Sequence, residues 1–119
     1  MIPQAIDQIM AHLIQENYLN EERFARSFAR GKFHIKKWGK MRIENELKMR
    51  DITRFNIKAA LTEIDVNHYQ ETFDALAQKR LSAIKETDVQ KRKKKLADYL
   101  LYRGWESQLV YQKVHELLG

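Results

Sequence analysis

Arg42-Ile43-Glu44-Asn45-Glu46-Leu47-Lys48-Met49-Arg50-Asp51-Ile52 is echoed by Lys95-Leu96 through Leu100-Leu101-Tyr102-Arg103-Gly104-Trp105, each matching residue displaced by 53 positions. Ile43 falls on Leu96, Leu47 on Leu100, Arg50 on Arg103 and Ile52 on Trp105. A unit of about fifty residues that recurs cannot bury its apolar face alone, so it stacks on a neighbour. The echo therefore predicts a helical repeat protein. Stacked repeats present one continuous outer surface, and such scaffolds bind rather than catalyse.

The spacing of apolar residues extends this reading along the chain. Four glycines and one proline leave little punctuation for strands and hairpins. Seven amphipathic helices are expected, an all-α chain. Ile6, Ile9, Met10 and Leu13 mark an opening helix just after Pro3. Asn20 is the expected cap of a second, with Glu21 and Glu22 against its dipole and Phe24 and Phe28 on one face, ending near Gly31 to Ile35. Trp38-Gly39 turns the chain into a third, with the stripe Ile43 and Leu47, which stops around Asp51.

Thr53 is placed to cap the fourth helix, which carries Ile57, Ala60, Leu61 and Ile64. Asp65 to Asn67 supply a turn before Tyr69, Phe73, Leu76, Ala77 and Leu81 in the fifth. Thr87 or Asp88 caps the sixth, with Val89, Leu96 and Leu100, ended by Gly104 at the position after the C-cap. Ser107 caps the seventh, with Val110, Val114, Leu117 and Leu118. The order one, three, three divides the chain into 1–19, 20–66 and 67–119. Ile6 lies 51 residues before Ile57, so the opening helix reads as the last third of a unit whose first two helices are absent. The units form a curved array.

Composition bounds the class. At 119 residues the chain fits one domain with a modest core. Without cysteine there is no disulfide framework and no thiolate metal site. No apolar run reaches a membrane span, and no secretory signal opens the chain, so a cytoplasmic location is expected. The net charge of +6 is segregated. Residues 21–58 hold twelve basic and five acidic side chains, and 78–105 hold nine and three, around an acidic stretch over 59–77. Two positive segments suit a polyanionic partner, nucleic acid or an acidic protein surface. A solubilising surface is the plainer alternative.

Candidate contacts follow from projecting these blocks onto helices at about 100° per residue. With Phe24 at zero, Arg26, Arg30 and Arg23 fall at about 200°, 240° and 260°, an outward arginine stripe. Its planar guanidinium forks suit phosphate or carboxylate. In the run Lys91 to Lys95, Lys91 and Lys95 converge with Tyr102, while Arg92 and Lys93 flank the apolar stripe. Tyr102 among cations offers a stacking platform for a base, an anchor in a protein interface, or a filler at the junction with a neighbouring helix. The loop 32–40 adds Lys36 and Lys37 around Trp38, itself a core anchor or a stacking surface. The histidines at 12, 34, 68 and 115 lack ligand spacing, so no metal is expected. Glu44 and Glu46 diverge on a helix, and no nucleophile or phosphate-cradling motif occurs, so neither a cofactor nor an enzyme is expected.

Tyr18-Leu19-Asn20-Glu21-Glu22-Arg23-Phe24-Ala25-Arg26, followed by Trp38-Gly39, Arg42-Ile43 and Glu46-Leu47, resembles the RecX regulatory family, and Arg103-Gly104-Trp105 resembles its last repeat. Lys40 stands where that family often has proline, and Asp51 where it often has glycine. The resemblance implies three tandem three-helix repeats, helix-turn-helix-like, in a cytoplasmic bacterial protein. It further implies binding to the RecA recombinase filament on single-stranded DNA, hindering strand exchange and coprotease action, with direct DNA contact in some members. The chain would then be an N-terminally short member. The residue-level alternative is a nucleic-acid-binding helical module acting on DNA directly.

Overall fold

The computed structural model describes residues 20–119. Among them lie six helices and no strand: α1 (20–34), α2 (Lys40–Met49), α3 (Arg54–Leu61), α4 (Val66–Ala83), α5 (Val89–Tyr102) and α6 (Ser107–Leu118). The opening helix expected over 1–19, and with it the incomplete first unit, lies outside the described residues.

The helix starts follow from side chains that satisfy otherwise orphaned amides. Thr53 Oγ1 accepts from Asn56 N, Asp65 Oδ2 from His68 N at 2.9 Å and Asp88 Oδ2 from Lys91 N at 3.0 Å. Two expected caps differ. Ser107 is the first residue of α6, and Glu106, extended at ψ 136, occupies the cap position. Asn20 is already helical. Glu21 caps a different helix: its carboxylate accepts from Thr53 N at 2.7 Å and from Asn56 Nδ2 at 3.1 Å, tying α1 to the start of α3. That bond from the Thr53 backbone holds the Glu21 carboxyl below its usual range.

The repeat appears in the backbone as well as the core. Ile52 N donates to Leu47 O at 3.1 Å, and Trp105 N donates to Leu100 O at 3.2 Å, the same helix-ending bond displaced by 53 residues. Asp51 (φ 59) and Gly104 (φ 95) take the left-handed conformation that this ending requires. Ile43, Leu47 and Ile57 are buried in one set, Leu96, Leu100 and Val110 in the other.

The helices that open each three-helix set match at another offset. Ala25, Ala29 and Phe33 are buried in α1, and Tyr69, Phe73 and Ala77 in α4, an interval of 44 residues. Where α1 presents small, small, large, α4 presents large, large, small. This corrects the expected face of α1: Phe24 is 45% exposed and Phe28 only partly covered, because the alanines admit α1 close to its neighbours. A hydropathy pattern weighted by Phe24 and Phe28 places that face about 120° away.

The two sets of helices are joined end to end. The first amides of α2 have no acceptor in their own helix, and Gly39 supplies no side-chain cap. Gly39 N donates to Arg103 O at 2.9 Å, Met41 N to Gly104 O at 3.0 Å, and Lys40 N to the Tyr69 hydroxyl at 2.9 Å. Tyr69 in turn donates to Glu106. Around this seam Tyr69 and Trp105 pack with ring centroids 4.5 Å apart, Phe73 and Trp105 5.1 Å, and Phe33 and Tyr69 5.7 Å. The backbones touch: a Cβ at Gly39 would sit 2.4 Å from Gly104 O, and one at Gly104 would sit 2.2 Å from Arg42 Cβ.

Equivalent positions should therefore respond oppositely. Asp51→Gly relieves a left-handed residue and should stabilise the fold by about 0.5–1 kcal/mol. Gly104→Ala adds both strain and collision and should destabilise it by about 3 kcal/mol. Thermal unfolding followed by circular dichroism separates the two signs. The Tyr69 hydroxyl gives a pH signature, since burial first and the Glu106 bond second raise its pKa well above the ordinary 10.0. A raised folded-state pKa contributes stability that is intact below about pH 10 and lost as pH rises beyond it. The stability gap between wild type and Tyr69→Phe, about 1 kcal/mol at neutral pH, should close above pH 10 in denaturant titrations.

A candidate polyanion-binding surface

Where the turn after α1 faces the second half of α4 and the end of α5, a cleft of about 370 Å³ opens. Lys36, Lys37, Lys79, Arg80 and Arg103 line it, with Ile35, Leu76, Ala83 and Tyr99, and among the described residues no carboxylate does. The arginines are positioned: Arg80 and Arg103 stack on the Tyr99 ring at 4.4 and 5.2 Å, and Arg103 donates to Lys36 O. Lys37 has φ 59, a left-handed turn that brings Lys36 and Lys37 to the rim. Lys37, Leu76 and Lys79 also border a second hollow with His68, Glu71 and Thr72, so the groove continues along α4.

Five like charges in one concavity repel, and a multivalent anion relieves that repulsion. Cations on two rims suit a chain of phosphates or carboxylates rather than a single ion.

Beside the cleft, across the seam, runs a ladder of cations and rings. Arg42 lies 4.1 Å from the Trp38 ring and 4.9 Å from Tyr102, and Lys32 lies 4.9 Å from Trp38. Trp38 is half-buried, with Phe28 at 6.3 Å. It is therefore both a packing element and part of the surface. Tyr102 stands 74% exposed at the seam, and its backbone oxygen accepts from Arg42 Nη1 at 3.4 Å.

The candidate contacts named from sequence fall in different places. Lys36 and Lys37 line the cleft. Arg23 is exposed on α1. Arg26 is half-buried and bound to Glu22 at 2.9 Å and Glu63 at 2.7 Å, and Arg30 reaches Glu63 at 3.3 Å. These bonds, Arg26 first, hold the Glu63 carboxyl below its usual range and tie α1 to the end of α3. The outward stripe thus includes two intramolecular struts. Arg26 adjoins the buried face because the true core face of α1 is turned toward it.

Lys91 is exposed, Lys95 lies 3.8 Å from Glu86, and both share α5 with Tyr102. From Lys91 to Tyr102 is about 16 Å along the helix axis, so one small group cannot touch both. Lys79, Arg80 and Arg103 went unnoticed as a site because they meet Lys36 and Lys37 only through tertiary folding. Their only linear signal is that Lys79-Arg80 ends the acidic stretch 59–77. Among the described residues no group of three or more histidines and carboxylates is arranged to hold a metal ion.

A family model described as the second three-helix domain of RecX matches residues 20–61, and one described as its third three-helix domain matches residues 68–114. Relatives named "Regulatory protein RecX" are similar along most of the chain. That of Serratia proteamaculans (strain 568) is 34% identical over 113 residues, 92% of this chain and 66% of the relative. That of Yersinia enterocolitica is 33% identical over 112 residues, 92% and 65%, and that of Clostridioides difficile (strain 630) 27% identical over 114 residues, 96% and 54%. The chain thus spans between 54 and 66% of the length of these three relatives. No solved structure matches it.

If the cleft holds polyanions, Lys79→Glu with Arg80→Glu should elute from immobilised heparin at clearly lower salt than the unmodified protein. Lys113→Glu is a control away from the cleft, since Lys113 pairs with Asp74 and Glu116 at 2.9 Å. It should elute close to the unmodified protein.

Proposed function

This chain belongs to the RecX regulatory family, and on that premise we propose that it binds the RecA recombinase filament on single-stranded DNA and restrains its recombinase and coprotease activities by occupancy of the filament groove. The observation that carries the proposal is the match of two successive RecX domains to the two three-helix sets. Their shared seam places cations from both sets on one surface. A scaffold of this kind spans neighbouring subunits of a filament without making or breaking a bond, so the function needs no catalytic group. It acts in the bacterial cytoplasm, in the control of homologous recombination and DNA repair.

Of the proposed contacts, Arg23, Lys36, Lys37, Lys91 and Tyr102 are exposed. Lys95 reaches a partner by leaving Glu86, whereas Arg26 and Arg30 do so by releasing Glu63.

A second reading, a helical module acting on DNA directly, is favoured by one observation, the five-cation cleft that no carboxylate among the described residues lines. The two readings separate by salt and partner. Phosphate binding loses affinity with a slope of log K against log salt of about 0.7 per contacted phosphate on single strands.

Co-sedimentation with RecA assembled on single-stranded DNA, beside the same DNA without RecA at two salt concentrations, tests both readings. Filament binding that inhibits RecA ATPase and strand exchange supports the first. It should weaken about tenfold in Arg23→Glu/Lys36→Glu/Lys37→Glu with helicity intact. Salt-sensitive binding to bare DNA with no dependence on RecA replaces it with the second.

A further inference from the structure

Helix α1 carries two apolar faces. Ala25, Ala29 and Phe33 are buried. The other face runs Phe24, Phe28 and Gly31 and continues to Ile35 in the turn just after α1, the spacing with which one helix anchors in the groove of another. It points outward: Phe24 is 45% and Ile35 77% exposed. With Lys32 and Lys36 these residues line an apolar hollow of about 260 Å³. Among the described residues no carboxylate lines it, and Arg50, paired with Glu46 at 2.9 Å, lies 4.8 Å from the Phe28 ring. Glu21, the acid nearest this face on the helical wheel, is committed to Thr53 and Asn56.

Gly31 decides what the face is for. Glycine inside a helix is less stable than alanine, so it persists where conformation or packing requires it. Neither does here. Gly31 is helical, it is not among the residues of positive φ, and a Cβ built on it meets nothing within 4 Å among the described residues. A glycine that the packing of the described residues does not need, centred in an apolar hollow rimmed by cations, leaves room for another backbone to come close.

We propose that this face is the docking groove for an acidic amphipathic helix of RecA in the filament. Its apolar side chains seat among Phe24, Phe28 and Ile35, its backbone lies against Gly31, and its carboxylates meet Lys32 and Lys36. The inference rests on the filament reading and deepens it, naming the surface and the chemistry of the segment received.

Two variants test it against RecA on single-stranded DNA. Gly31→Ala should raise Tm by about 4 °C, as helix propensity improves, and at the same time weaken filament binding about tenfold. A purely structural glycine predicts no such opposition. Ile35→Glu should weaken binding at least as much with Tm unchanged, because it sets a carboxylate against an acidic segment.

If the unmodified protein binds the filament and both variants bind equally well, the groove is overturned and the filament reading stands. If the unmodified protein does not bind the filament, both fall. A lowered Tm in Ile35→Glu would mean that the chain itself covers this face. Loss of affinity in Gly31→Ala for bare single strand equal to that for the filament would assign the face to nucleic acid. Either result overturns the proposal.

Discussion

The contact on which the architecture depends is the meeting of two helix ends at Gly39 and Gly104. The start of one helix has amides without acceptors, and the end of another has carbonyls without donors. Here each deficit cancels the other: the amides of Gly39 and Met41 take the carbonyls of Arg103 and Gly104, and the Tyr69 hydroxyl takes the Lys40 amide between them. The helix dipoles favour the same arrangement, with a positive N-terminus against a negative C-terminus. The requirement is steric as well as electrostatic, because the backbones approach so closely that neither position tolerates a Cβ.

Both cationic surfaces straddle this seam. Arg103, just past the end of α5, reaches across to Lys36 O, and Arg42, on the first turn of α2, reaches back to Tyr102. One guanidinium leads into the cleft and the other into the aromatic ladder. The geometry of either surface thus depends on the relative placement of two helix sets that a few hydrogen bonds and four clustered rings determine. Lys40 illustrates the economy of the site. Its backbone amide satisfies Tyr69 while its ammonium lies 4.7 Å from the same ring.

Much of this was legible in the sequence where local chemistry decides structure. The 53-residue echo reports residues that repeat both in the core and in the helix-ending turn, so it survives as a backbone pattern even where Asp51 replaces glycine. Thr53, Asp65 and Asp88 cap as their side-chain chemistry dictates. The face of α1 was harder to read. Ala25 and Ala29 contribute little hydrophobicity but permit close approach, whereas Phe24 and Phe28 contribute much and point elsewhere. The second offset, 44 residues between α1 and α4, is hidden because that repeat exchanges large for small residues. Of the candidate site, Lys36 and Lys37 were visible as part of a charged loop. Their partners were not, because charge density along a chain does not say which distant lysine folds onto which turn. Arg26 shows the converse: a cation at the edge of a buried face finds its carboxylate at Glu63, just past the end of α3.

The seam also has a direction. It is a plug and a socket, the start of α2 entering the end of α5, and not a contact of like with like, so its symmetry does not close on itself. The start of α5, which corresponds to the plug, is occupied otherwise: Asp88 takes the Lys91 amide, and Glu86 accepts from the Thr87 and Asp88 amides at 3.1 and 3.2 Å. Those amides are thus stoppered by their own segment. The same fold therefore contains both a connecting helix start and a finished one, and the difference between them lies in whether an aspartate or a glycine precedes the helix.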